Sequence, residues 1–75
     1  MEVHVELFEI EESARLRREA AADRLREIAD QLSRHNALRF RRDGVPYTVK
    51  VPDEVEFSVE IEIGDDNELE IEIRW

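Results

Sequence analysis

Apolar and polar residues follow two periods along this chain, and the switches between them mark out its elements. Near the start, Val3, Val5 and Leu7 alternate with Glu2, His4 and Glu6, the period of a strand. Phe8 and Ile10 then fall on the opposite parity, so either a bulge shifts the phase or the strand ends near Leu7. From Leu16 to His35 the period becomes helical: Ala21, Leu25, Ile28, Ala29 and Leu32 recur at three- and four-residue spacing and form one apolar stripe. Glu19 and Asp23 sit early, and Arg34 and His35 sit in the last turn, as the helix dipole favours. Asn36 suits a left-handed stop. At the start, either Ser13 caps the helix or Leu16 lies just outside it and staples onto Ala21.

Alternation resumes in "ALRFRRDGVPYTVKV". Asp43-Gly44 suits a two-residue type I′ turn, which pairs Arg42 with Val45, Phe40 with Tyr47 and Leu38 with Val49. The apolar members then share one face, while Arg39, Arg41, Thr48 and Lys50 take the other. Pro46 has no amide hydrogen, so its strand has an unpaired stretch or lies at an edge. In a second hairpin, Val55, Phe57, Val59, Ile61 and Ile63 alternate with glutamates and Ser58. Leu69, Ile71, Ile73 and Trp75 do the same on the return. A three-residue loop, Asp65-Asp66-Asn67 with Asn67 left-handed, keeps both apolar sets on one face. It pairs Ile61 with Ile71, Glu60 with Glu72 and Glu62 with Glu70.

The expected fold is therefore α+β, in the order β-α-β-β-β-β. One helix packs in a second layer on a mainly antiparallel sheet of about five strands, forming a single domain over residues 1–75. The expected core combines Leu25, Ile28 and Leu32 of the helix with Phe57, Ile61, Ile71 and Trp75 of the sheet. Five strands make a sheet about 20–24 Å wide, and one helix is only about 10–12 Å across. Residues such as Val45, Tyr47 and Val49 then need another cover, and a homodimer supplies it unless the sheet curls around the helix.

Charge narrows the range of partners. Twenty acids against eleven bases give a net charge of −9, and Lys50 is the only lysine. This balance argues against nucleic acids and anionic membranes, whose phosphates would repel the chain. A dense carboxylate surface fits a cytosol rich in salt, although high-GC codon usage also favours arginine over lysine. There is no cysteine, hence no disulfide or thiolate metal site, in keeping with a reducing cytoplasm. The opening residues lack the basic and apolar regions of a signal peptide. No apolar run approaches the roughly 20 residues that cross a bilayer.

With those elements in place, the run "EAAADRLREIADQL", the segment "DGVPYTVKVPDEVEFSVEIEI" and the ending "ELEIEIRW" resemble the amphi-Trp domain, a short amphipathic domain closing on a tryptophan and frequent in haloarchaea. The resemblance runs from about Leu7 to Trp75. The helix, the Val-Pro step and Trp75 together are more specific than the alternating strands, and Asn36 stands where such sequences often carry glycine. The resemblance implies a salt-loving source and carries over no established activity.

A search for chemistry finds no site. His4 and His35 lie in different elements without an i, i+4 partner or a cysteine, so no zinc set forms. Ser13, Ser33 and Ser58 lack a nucleophile-elbow context. Both glycines are explained by turns rather than by a phosphate loop. The paired glutamates read as a solvated face, with no apolar pocket to raise one pKa. Asp65-Asp66-Asn67-Glu68 is too short for an EF-hand and reads as a turn. No catalytic residue, cofactor or metal is therefore expected.

The bases do cluster. Residues 13–42 carry nine bases against four acids, and residues 43–75 carry eleven acids against two bases. Cross-strand pairing of Arg39, Arg41 and Lys50 with glutamates of the second hairpin accounts for this better than a nucleic-acid surface. No aromatic shares their face to stack on bases. Expected from the sequence is a non-enzymatic interaction or structural module of the cytoplasm, self-associating and adapted to high salt, with an unidentified protein partner. Arg39, Arg41, Lys50, Val45, Tyr47 and Val49 are its candidate interaction surface. The alternative is a nucleic-acid-associated accessory protein using the arginine-rich helix and second strand.

Overall fold

The structure, a computed structural model, describes residues 8–75. The strand expected over Val3–Leu7 lies outside the described residues. Residues 8–17 form neither helix nor strand, which removes a bulged strand carried through Phe8 and Ile10. Helix α1 covers Arg18–His35. Strands β1 (Ala37–Arg42), β2 (Val45–Lys50), β3 (Glu56–Glu62) and β4 (Glu68–Arg74) follow.

The helix begins and ends as its sequence dictates, with one choice resolved. Arg17 is the extended residue before the first turn and makes no side-chain cap, and its carbonyl accepts the Ala21 amide at 3.0 Å. Leu16 and Ala21 thus occupy the two positions of a hydrophobic staple, and Ser13 is not the cap. Asn36 ends the helix at φ 52° and ψ 29°, in the left-handed region. Its carbonyl accepts the Val51 amide at 2.9 Å. The end of β2 is thereby tied to the end of α1, and Val51 is the buried apolar residue among those described.

The first hairpin has the expected register, with Arg42 opposite Val45, Phe40 opposite Tyr47 and Leu38 opposite Val49. Asp43 and Gly44 both have positive φ, 52° and 78°, as a type I′ turn requires. In such a hairpin Arg42 and Val45 are the hydrogen-bonded pair, so the next pair, Arg41 and Pro46, turns its backbone nitrogens outward. Pro46 therefore removes a donor from the free edge of β2 and no bond from the ribbon.

Among the described residues the expected single sheet of about five strands is not seen. The four described strands make two separate antiparallel pairs, β1 with β2 and β3 with β4. Two features account for this. The free edge of β2 lacks the Pro46 donor, and residues 51–55, with a bend at Asp53, interrupt the strand pattern before β3 begins. Hydrophobic alternation also says which face of a ribbon is apolar, and nothing about which edges meet.

The second hairpin keeps its faces and changes its register. Ile61 stands opposite Leu69, Val59 opposite Ile71 and Phe57 opposite Ile73. The loop is residues 63–67, five in place of three. Asn67 does not adopt the left-handed conformation expected of it. Instead its side-chain Oδ1 accepts the Gly64 amide at 3.3 Å and closes the loop. A slip of two residues leaves every side chain on its own face, so the apolar pattern fits both registers equally and the loop decides between them.

Among the described elements α1 packs on β1 alone, and no other described helix or strand packs against β3 or β4. The molecule is correspondingly open. Its Cα radius of gyration is 14.5 Å, against about 11 Å for a compact domain of this length. Its accessible surface is 7586 Å², against about 4,800 Å² for a compact monomer of this mass.

Candidate interaction surface

The candidate residues divide over two ribbons and four faces. On the first ribbon, Arg39, Arg41 and Lys50 share one face with Thr48. The Arg39 amide donates to Gln31 Oε1 at 2.7 Å, joining β1 to α1. Among the described residues none of these three bases forms a salt bridge: the expected pairs with the acidic hairpin are not made, because the ribbons do not lie edge to edge.

Val45, Tyr47 and Val49 line the other face, beside Leu38 and Phe40 of β1. The residues before the helix partly cover them. The rings of Phe8 and Tyr47 stand 4.9 Å apart at 53°, and the Arg42 guanidinium lies 4.8 Å over the Phe8 ring.

One organising residue has no local signature in the sequence. Arg24 makes two hydrogen bonds to the Glu12 carboxylate, at 2.7 and 3.0 Å. It also meets Glu27 at 3.3 Å and lies 5.8 Å over the Phe40 ring. It therefore fastens the residues before the helix, α1 and β1 together. The Arg24 hydrogen bond holds the Glu12 carboxyl below the usual carboxylate range, and Glu12 raises the Arg24 guanidinium in turn. Glu12 and Arg24 are twelve positions apart, beyond any periodic spacing that links them in advance.

The second ribbon has one apolar and one acidic face. On the outer face Glu60 opposes Glu70 and Glu62 opposes Glu68, with Glu56 opposite Arg74. Arg74 reaches Glu72 on its own strand at 3.1 Å. A hydrogen bond with Glu68, reinforced by the Glu68 and Glu72 charges, pushes the Glu70 carboxyl above its ordinary range. The inner face is apolar and largely exposed, with Phe57 64%, Ile61 68% and Leu69 58% exposed and Ile73 half-buried.

The residues expected to share a core are thus placed apart. Leu25, Ile28 and Leu32 lie on α1, where Ile28 and Leu32 are half-buried and Leu25 is exposed. Phe57, Ile61 and Ile71 lie on the uncovered ribbon. Trp75 links the ribbons. It lines an open groove of about 420 Å³ with Val55, Glu56 and Arg74, and another of about 220 Å³ with Phe8, Leu38, Phe40 and Val49. Neither groove includes a residue of α1, the expected neighbour of Trp75.

Among the described residues no group of three or more His, Cys, Asp or Glu side chains is placed to hold a metal ion, and His4 lies outside them. No described helix is long and apolar enough to cross a membrane. No curated protein and no solved structure matches the chain. A family model described as the Amphi-Trp domain matches residues 1–75, the whole chain, which therefore belongs to that family.

Proposed function

We propose that this amphi-Trp domain is a non-enzymatic interaction module that associates with itself and works in the cytoplasm at high salt. One observation carries the reading: the β3–β4 ribbon has one apolar face, largely exposed, against which no described helix or strand packs. A two-stranded ribbon is marginal in water and needs a cover on its apolar side. An apolar patch of this kind on a folded chain is the mark of an interaction surface.

The acidic face favours the salt setting. Directly opposed glutamates destabilise a sheet by roughly 0.2–1 kcal/mol per pair. Their repulsion fades as the Debye length falls from about 10 Å at 0.1 M to about 3 Å at 1 M salt.

Sedimentation equilibrium in 2 M KCl at high micromolar concentration tests the reading. The expected species is twice the 8.9 kDa chain. A single 8.9 kDa species throughout would overturn self-association.

The three unpaired bases Arg39, Arg41 and Lys50 favour a second reading, an accessory protein that touches nucleic acid through that face. It predicts oligonucleotide binding in low salt that Arg39→Gln/Arg41→Gln abolishes. The net charge of −9 weighs against it.

A further inference from the structure

We infer that the occupant of the apolar β3–β4 face is the same face of a second copy, the two ribbons stacked about a two-fold axis. This rests on the self-association proposed above and names the surface that carries it. The three apolar pairs Phe57–Ile73, Val59–Ile71 and Ile61–Leu69 run the length of the ribbon. Ile63, 77% exposed, extends the strip at its loop end, and Trp75, 53% exposed, closes the other end beside the first ribbon. Two such faces stacked would bury apolar surface on the scale of a standard specific interface, about 800 Å² per partner.

Charge selects the geometry. Stacked face to face about 10 Å apart, the ribbons turn both glutamate faces outward on opposite sides of the pair. Joined edge to edge, they would set one column of glutamates beside another, where like charges destabilise directly. The strip itself carries no charged or hydrogen-bonding side chain except the Trp75 indole, so nothing on it specifies a foreign partner. An isologous contact needs only that the surface complement itself. Val59 and Ile71, the middle pair, lie nearest the axis in this arrangement.

The chain has no cysteine, so single introduced thiols report position cleanly. Val59→Cys and Glu60→Cys are compared in 2 M KCl, with a bismaleimide spanning about 10 Å, the separation of packed sheets. Ile71→Cys is the second inner-face variant, and helical circular dichroism checks that each chain folds. The expected result is a species at twice 8.9 kDa from Val59→Cys and Ile71→Cys and none from Glu60→Cys. Cross-linking from Glu60→Cys alone, or from none of the three while sedimentation gives a dimer, overturns the stacked arrangement and leaves self-association standing. A wild-type chain that stays at 8.9 kDa overturns both. Cross-linking of Val59→Cys only to other proteins of a lysate, with the pure chain monomeric, overturns the second copy in favour of a foreign partner.

Discussion

The two hairpins share one sequence pattern and differ in what surrounds them. The first is anchored at several points: Asn36 to Val51 across its base, Gln31 to Arg39, Arg24 over Phe40 and Phe8 against Tyr47. Its turn is two residues long, with both backbones in the conformation that Asp-Gly favours. The second has a longer loop closed by one side chain and no described helix or strand against it. Alternation is enough to form a ribbon, and an apolar cover is what makes it persist. The first ribbon has part of its cover within the chain, and no described helix or strand covers the second.

The largest expected effect comes from placing a charge on the uncovered strip. Val59→Lys puts an ammonium at the middle of the proposed contact and should cost association at least about 2 kcal/mol, the scale of an interface hot spot. The α1–β1–β2 part should keep its helical signal. Sedimentation and circular dichroism on the same sample separate these, and an undiminished dimer would place the contact elsewhere.

Salt should act next most strongly, and on the second hairpin. Two opposed glutamate pairs with diffuse repulsion suggest a gain of about 1–3 kcal/mol between 0.1 M and 2 M KCl, read from urea denaturation. A midpoint that stays or falls would mean that ion pairs such as Arg24–Glu12 govern the fold.

Arg24→Ala sharpens the other side of the comparison. It removes a bidentate pair and a cation–π contact, both partly exposed, and should cost about 1 kcal/mol. The loss should appear in α1 and β1 and leave association unchanged.

The smallest effect expected is that of pH. The Glu70 carboxyl titrates above its ordinary range in the folded chain, so the fold binds this proton more tightly than the unfolded chain does. Stability should therefore rise as pH falls from neutral through that raised pKa. Glu12 has the opposite sign: its depressed pKa contributes stability above the ordinary carboxylate range, lost as pH falls through it. A shallow maximum in mild acid follows, and Glu70→Gln should flatten its neutral side. An unchanged profile in that variant would remove Glu70 as the cause.

Legibility followed the range of the interactions. The helix stop at Asn36, the Asp43-Gly44 turn and the first register rest on neighbours in sequence and were readable there. The second register was not, because Ile61 opposite Leu69 and Ile61 opposite Ile71 leave the same faces apolar. The Glu12–Arg24 pair and the separation of the two ribbons depend on where distant segments meet, which no local period encodes. The candidate bases Arg39, Arg41 and Lys50 were legible as one face. Their lack of partners followed from ribbon placement and was not.

The dependence of the second hairpin on a second copy is tested most directly by amide hydrogen exchange in 2 M KCl over a range of protein concentrations. Protection of β3 and β4 should rise with concentration through the dimerisation midpoint, while the amides of β1 and β2, anchored within the chain, gain less. Protection of β3 and β4 that is strong in dilute solution and indifferent to concentration would contradict it, and would mean that the ribbon finds its cover in its own chain.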